Sequence, residues 1–444
     1  MSVPAAAGSM GGEVPRSTSV PLWAGRALAL LGILLVAANL RTAVAALSPI
    51  FSAISVDIPL DSLSIGVLGT LPPLCFALFG LLAPIFQRHM RIESLVLVSL
   101  LAILVGDVVR SLAGSYVVLV AGSTVVFAGM GIGNVLLPPL VKKYFPDRVG
   151  LMTSLYATVL SLFSLFPPLV AVPMSEAAGW RVSVGLWAVL TLVAVLPWIM
   201  LIVRDRRSVP EAVRADSVTA IAEAVPRGRA WHSRVAWSLG IMFGITSLNV
   251  YAMFAWLPQI LVDSAGVTPA GAGALLSLYS GIGIPASLLV PLVATRVKNV
   301  GVLIWIGVAL YVVGYLGLLC APAVLPWVWV TLAGAGPLLF PLSLLLINLR
   351  TRSQAGAVAL SGFVQGLGYL IGAVGPLAVG FLHQLTGGWV APIVFLLATI
   401  AVIVVVGAIV ARPHLLEDDW HRGHSAHTAS RIDRIKQQRN SGVR

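Results

Sequence analysis

Twelve apolar runs, each long enough to cross a bilayer, are strung along the 444 residues, and they constrain the fold more than any motif does. A helical span needs about 20 predominantly apolar residues. The runs cover roughly residues 24–54, 61–86, 92–113, 115–141, 149–173, 180–203, 235–262, 270–295, 300–321, 326–349, 355–384 and 389–411. Inside lipid the backbone polar groups of such a run have to be satisfied within the run itself, which makes each one a helix. Only 10% of the residues are charged, against about 25% in soluble domains, too few to coat a water-soluble body of this size. Bulk disorder and a conventional soluble enzyme are excluded. The stretch from Leu28 to Ala38 has the character of a signal-peptide core, but it runs on past any plausible cleavage site and reads as an uncleaved helix. Cys75 and Cys320 both lie in apolar runs and read as small buried hydrophobes.

The net charge of +12 invites a nucleic-acid partner until the cations are placed. With the N-terminus inside, the tails and the loops after even-numbered helices hold 25 of the 28 Lys and Arg residues. The outer loops hold Arg110 and Arg181, and Arg41 alone falls inside a helix. This asymmetry is a topology signal. It predicts a multi-pass protein of the cell membrane with both termini cytoplasmic, in contact with membrane lipid and without nucleic acid.

Composition divides the chain into a disordered tail (1–21), a six-helix bundle (22–203), a cytoplasmic linker (204–234), a second six-helix bundle (235–411) and a basic cytoplasmic tail (412–444). His421, His424 and His427 recur in that last tail, where no Cys or carboxylate completes a defined metal site. The two bundles repeat each other. Asn39 and Pro49 in helix 1 answer to Asn249 and Pro258 in helix 7; Leu81-Leu82-Ala83-Pro84 to Leu288-Leu289-Val290-Pro291; Gly129-Met130-Gly131 and Pro138 to Gly334-Ala335-Gly336 and Pro341. Three matches in order, at nearly one offset, predict a duplicated six-helix unit. The fold class is therefore an all-α membrane protein with twelve transmembrane helices as two six-helix pseudo-repeats, the plan of the major facilitator fold, with the site between the halves near the midplane. Gly362, Gly366, Gly368, Gly372 and Gly375 in helix 11 supply small faces for close helix approach.

Arg41 is the one unambiguous charge in the apolar interior. It lies about 22 Å of helix rise beyond Arg26, too deep to snorkel back, and a buried arginine of this kind marks a functional site by default. Its guanidinium cannot shed its proton, and the planar fork suits carboxylates and other oxyanions. Candidate substrate-binding partners at similar depth are Asn39, Asn134, Tyr156, Asn249, Trp256, Gln365 and Tyr369. Asn39 points about 200° away from Arg41 around helix 1, leaving it available to a neighbouring helix. Asn249 and Trp256 share a face of helix 7, and Gln365 and Tyr369 share a face of helix 11. Aromatic and amide groups around one guanidinium would hold a small, flat, polar solute by stacking and hydrogen bonds. No Asp, Glu, Lys or His falls near the midplane; Asp107 and Arg110 read as a local pair at the outer end of helix 3, and His383 as peripheral. No metal cluster, cofactor motif or catalytic dyad is present, so no enzyme is predicted. Moving a monoanion inward against a negative interior costs about 2.3 kcal/mol per 100 mV, which favours export, exchange or uniport over acid-driven uptake.

At these residues the chain resembles the cyanate permease and 2-nitroimidazole transporter branch of the major facilitator superfamily. The resemblance is carried by Asn39-Leu40-Arg41; Gly133-Asn134-Val135-Leu136-Leu137-Pro138 with Phe145-Pro146, Gly150-Leu151-Met152-Thr153 and Leu155-Tyr156; Trp256-Leu257-Pro258; and Leu360-Ser361-Gly362, Gln365, Gly368-Tyr369, Gly375-Pro376 and Gly388-Trp389. It implies a transporter of small anions or small nitrogenous solutes, with export of toxic compounds among the family's tasks. The superfamily's usual acid after helix 2 is missing, as is the Gly-Pro signature of proton-coupled drug exporters in helix 5. The expectation is a monomeric secondary carrier that works by alternating access. The alternatives are a proton-coupled exporter of neutral drugs and a transporter-like sensor.

Overall fold

The computed structural model describes residues 26–206 and 233–416, apart from 295, 298, 353, 413 and 414. The expected tail 1–21, most of the linker 204–234 and nearly all of the tail 412–444, including His421, His424 and His427, lie outside the described residues. Twelve helices within it are long and apolar enough to cross a membrane: α1 (Ala27–Asp57), α2 (Ser62–Gln87), α3 (Ile92–Ser111), α4 (Tyr116–Tyr144), α5 (Val149–Ala178), α6 (Trp180–Arg204), α7 (Arg234–Ala265), α8 (Pro269–Ala294), α9 (Gly301–Cys320), α10 (Pro326–Leu349), α11 (Leu360–Thr386) and α12 (Val390–Val410). An even number of crossings puts the start of α1 and the end of α12 on one face, the termini face; α1 ends and α2 begins at the opposite, far face.

Local chemistry sets the boundaries. The Asp61 carboxylate accepts the Ser64 N–H at 2.8 Å to cap α2, and the Thr268 hydroxyl accepts the Gly271 N–H at 3.2 Å to cap α8. The left-handed Gly266 (φ +66°) closes α7. Pro49 sits in a 3-10 turn at Ser48–Ile50 that breaks α1, and Pro337 in one at Gly336–Leu338 that breaks α10; proline has no N–H to continue the ladder. Cys75 is buried, whereas Cys320, the last residue of α9, is exposed, contrary to its expected burial, because the helix ends there.

The duplication is visible as matched bonds. In the first half the Asn39 amide donates to the Leu35 carbonyl at 2.8 Å and its oxygen accepts from Thr191 of α6 at 2.6 Å. In the second the Asn249 amide donates to the Ile245 carbonyl at 2.8 Å and to Thr399 of α12 at 3.0 Å. Both asparagines are fully buried. At the far face Trp180 of α6 donates to Asp57 at 3.0 Å, and Trp389, which opens α12, donates to Asp263 at 3.0 Å.

The halves meet mainly through α2 against α11 and α5 against α8. These contacts are tightest toward the far face. A Cβ added at Gly69 would come within 2.7 Å of Ala255, and one at Gly273 within 2.6 Å of the Pro168 carbonyl, so glycine is what permits the backbones to touch there. Thr70 donates to the Ala373 carbonyl at 2.9 Å and Ser277 to the Leu165 carbonyl at 2.7 Å, both across the interface. Toward the termini face the packing relaxes: Gly283 and Gly362 have nothing within 4 Å of a built Cβ. The molecule is closed at the far face.

Candidate functional site

Where α1, α2, α7 and α11 converge, four side chains face one another. Arg41 is half-buried, with its guanidinium carbon 5.9 Å from the centre of the Phe76 ring, a favourable cation–π distance. Its positive charge acts on the phenols of Tyr251 and Tyr369, which lie within its electrostatic reach. The rings close the walls edge-on: Phe76 and Tyr369 are 6.0 Å apart, Phe76 and Tyr251 6.4 Å, and Tyr251 and Tyr369 6.5 Å. Phe243 backs Tyr369 at 5.4 Å. Arg41 and Phe76 belong to the first half, Tyr251 and Tyr369 to the second, so the constellation exists only when both halves are folded and apposed.

Arg41 forms no ion pair among the described residues. Its positive charge is balanced in part by ring faces and phenol oxygens, neither of which carries a formal charge. A cation held this way in a low-dielectric interior favours an anionic or electron-rich guest that supplies what the protein leaves out.

The other expected partners divide into two groups. Gln365 lies one turn from Tyr369 toward the termini face; it is half-exposed and donates to Ser361 at 2.7 Å. Asn134 is half-exposed and forms no side-chain hydrogen bond among the described residues; its neighbour Gly133 packs on Leu40 beside Arg41. Neither forms a side-chain hydrogen bond to another helix among the described residues. Asn39, Asn249 and Trp256 are not brought there. The two asparagines are used up in the interhelical bonds above, Asn249 also accepting from Tyr315 at 2.9 Å. Trp256 is buried toward the far face, donating to the Pro376 carbonyl at 2.9 Å. Tyr156 packs beside Thr153 against the same hydrophobic cluster that holds Phe76 and Tyr251. A large amphipathic residue on the right helix thus found a protein partner before it could face the cavity.

Sequence reading passed over Phe76 and Tyr251. For Tyr251 a signal existed: the offset of 210 that relates Asn39 to Asn249 also relates Arg41 to Tyr251, so the duplication itself points to it. Phe76 has no comparable mark, being one of 14 phenylalanines. The Asp107–Arg110 pair is at the expected end of α3, and both residues are 1% exposed. His383 is peripheral, stacked on Trp389 at 3.9 Å.

The chain is 34% identical over 84% of its length to an uncharacterized transporter, YycB, of Bacillus subtilis, covering 90% of that protein. It is 32% identical over 83% of its length to the 2-nitroimidazole transporter of Escherichia coli, covering 91% of it. Against the cyanate transport protein CynX of Escherichia coli the identity is 25%, over 81% of this chain and 91% of that one. A crystallised bacterial homologue of the lysosomal transporter Spinster, inward-facing and occupied, superposes with a TM-score of 0.67 at 14% identity, over 87% of this chain and 96% of that one. That likeness concerns the fold. The sequence profile of the Major Facilitator Superfamily spans residues 29–373, which takes in both halves of the Arg41 cluster, and this multi-pass membrane protein is a transporter that belongs to that superfamily.

Proposed function

We propose that the chain carries a small planar anion, or a small flat nitrogen-containing solute with electron-rich oxygens, across the cell membrane by alternating access. The observation that carries this reading is Arg41: a guanidinium between the halves, faced by Phe76, Tyr251 and Tyr369 and by no carboxylate among the described residues. The solute enters along Gln365 and Asn134, stacks among the rings and takes the guanidinium as its counter-charge. Rocking of the two halves then exchanges the far-face closure for one at the termini face. The solutes after which two relatives are named, the linear anion cyanate and the flat ring 2-nitroimidazole, are both small, which supports this choice of solute. The loop cations support cytoplasmic termini, and with the inside negative an anion runs outward downhill or exchanges for another. One chain supplies the whole cluster, so a monomer suffices.

A neutral-drug exporter coupled to protons is the rival reading. Counterflow of labelled cyanate, nitrite and 2-nitroimidazole into proteoliposomes separates the two, with Arg41→Gln measured alongside the wild type. Cyanate or nitrite is expected to exchange in the wild type, and the variant to lose at least about 100-fold in rate. Undiminished transport in Arg41→Gln would remove the anion reading.

A further inference from the structure

The Asp107–Arg110 pair is a buried ionisable group that the Arg41 site does not use. Arg110 is the penultimate residue of α3, at the far face. A long cationic side chain at that depth ordinarily extends outward to headgroups and water. This one does the reverse. Side chains lean toward the start of their helix, which for α3 is the termini face, and the Arg110 guanidinium carbon comes to lie 5.9 Å from the ring centre of Phe127, well inside α4. The residue is 1% exposed. Its approach to Asp107 is 3.7 Å, too long for a hydrogen bond. Nε and Nη1 of Arg110 and Oδ2 of Asp107 have no hydrogen-bond partner. An ion pair kept for stability alone would be expected to satisfy these atoms, because a buried charge left incomplete is costly.

Phe127 also belongs to the wall of a cavity of about 20 Å³, room for a single water, shared with Ser48, Phe51, Leu68 and Tyr251. Tyr251 is the residue that faces Arg41. The α1 residues of the same wall, Ala43, Val44, Leu47 and Ser48, lie in the turns of that helix just beyond Arg41 toward the far face. The Ser48 hydroxyl is buried there without a partner. From the termini face the molecule presents Gln365, then Arg41 with its two tyrosines, then a cavity walled in part by Phe127; the Arg110 guanidinium, with Nε and Nη1 unused, lies against that same ring.

We propose that Arg110 is a second anion-docking group on the far-face side of the Arg41 site, screened by Phe127 while the far face is closed and held in place by Asp107. It rests on the anion reading above. When the far face opens, a solute leaving Arg41 passes the Phe127 ring and takes the place of Asp107 beside the Arg110 guanidinium; a solute arriving from that side meets Arg110 first. Asp107 is the built-in competitor that returns when the solute departs.

The test uses the full chain in proteoliposomes sorted by orientation, with labelled cyanate, and nitrite as a second probe, offered from one face at a time. Asp107→Leu with Arg110→Met removes the pair together, a replacement that buried ion pairs commonly tolerate; Asp107→Asn removes only the competitor. The double variant is expected to raise the half-saturating concentration at the far face at least tenfold and to change the termini-face value by less than twofold. Asp107→Asn is expected to lower the far-face value several-fold. An unchanged far-face value in the double variant, equal changes at both faces, or a weakened far face in Asp107→Asn would each overturn the inference. Should the double variant not fold, Asp107→Asn decides alone. If Arg41→Gln abolishes transport from both faces while these variants behave as wild type, the anion reading stands and this inference falls; if the wild type moves neither probe, both fall.

Discussion

The two halves of the molecule hold themselves together alike and equip the interior differently. Asn39 pairs with Thr191 and Asn249 with Thr399 at the same place in each bundle, the donor being threonine in the first and asparagine in the second, and Trp180 with Asp57 and Trp389 with Asp263 make one and the same bond at the far face. One face around from each asparagine the likeness ends: the first half presents Arg41, the second Tyr251. Elsewhere too the halves differ, with the Asp107–Arg110 pair in the far-face end of α3 and the buried Tyr311 and Tyr315 in α9. The bonds that assemble a six-helix unit are needed in both copies, since an unsatisfied amide in lipid is costly wherever it lies. The site needs one charge and a wall, not two charges. A second guanidinium in place of Tyr251 would repel the first, and a phenol offers hydroxyl and ring without added charge.

That contrast can be broken most sharply at the site. Arg41→Lys keeps the charge and loses the planar fork; the rate of anion counterflow is expected to fall by ten- to a hundredfold. Tyr251→Phe and Tyr369→Phe each remove one hydroxyl and keep the ring; each is expected to raise the half-saturating concentration roughly tenfold, about 1.4 kcal/mol. If the tyrosine variants proved as damaging as Arg41→Lys, the division of labour between charge and wall would be wrong.

The assembling bonds come next. Replacing either asparagine by leucine strands buried partners, at a cost of about 1–3 kcal/mol. Asn249→Leu is expected to lower the unfolding temperature in detergent more than Asn39→Leu, because it leaves the buried Tyr315 hydroxyl as well as Thr399 without its partner. Equal effects would mean that the bond from Tyr315 contributes nothing.

The smallest effects belong to the matched caps. Asp61→Ala and Thr268→Ala should each cost about 1 kcal/mol at pH 7. They should part with pH. The side-chain hydrogen bond with Ser64 holds the Asp61 carboxyl below its ordinary range. A depressed folded-state pKa adds stability above the unfolded value and forfeits it as pH falls through the folded value. The Asp61→Ala penalty should therefore shrink on acidification below the carboxylate range, while the Thr268→Ala penalty stays constant. Thermal unfolding at several pH values reads both.

Much of the candidate site was legible, and unevenly so. Arg41 announced itself because a charge among apolar residues has few innocent explanations. Tyr369 and Gln365 followed from sharing a face of helix 11. Asn39, Asn249 and Trp256 misled for one physical reason: a polar group inside a membrane has to find a partner, and a neighbouring helix serves as well as a solute. Which it is depends on the angle at which the helices are set, and sequence periodicity is silent on that. Phe76 was invisible among the other phenylalanines for want of any polar mark.

By itself the sequence determined the number of helices, their order, the duplication and the depth of Arg41 along its helix, because these follow from transfer free energies summed along the chain. Tertiary structure alone decided that α2 and α11 bring Phe76 and Tyr369 to Arg41, and that Tyr251 rather than Asn249 is the face of α7 turned inward. It also decided that Arg110 bends away from the water it could have reached. Those outcomes depend on the rotation and packing of helices between which lipid, unlike water, scarcely discriminates, and so they are settled by contacts between residues far apart in the chain.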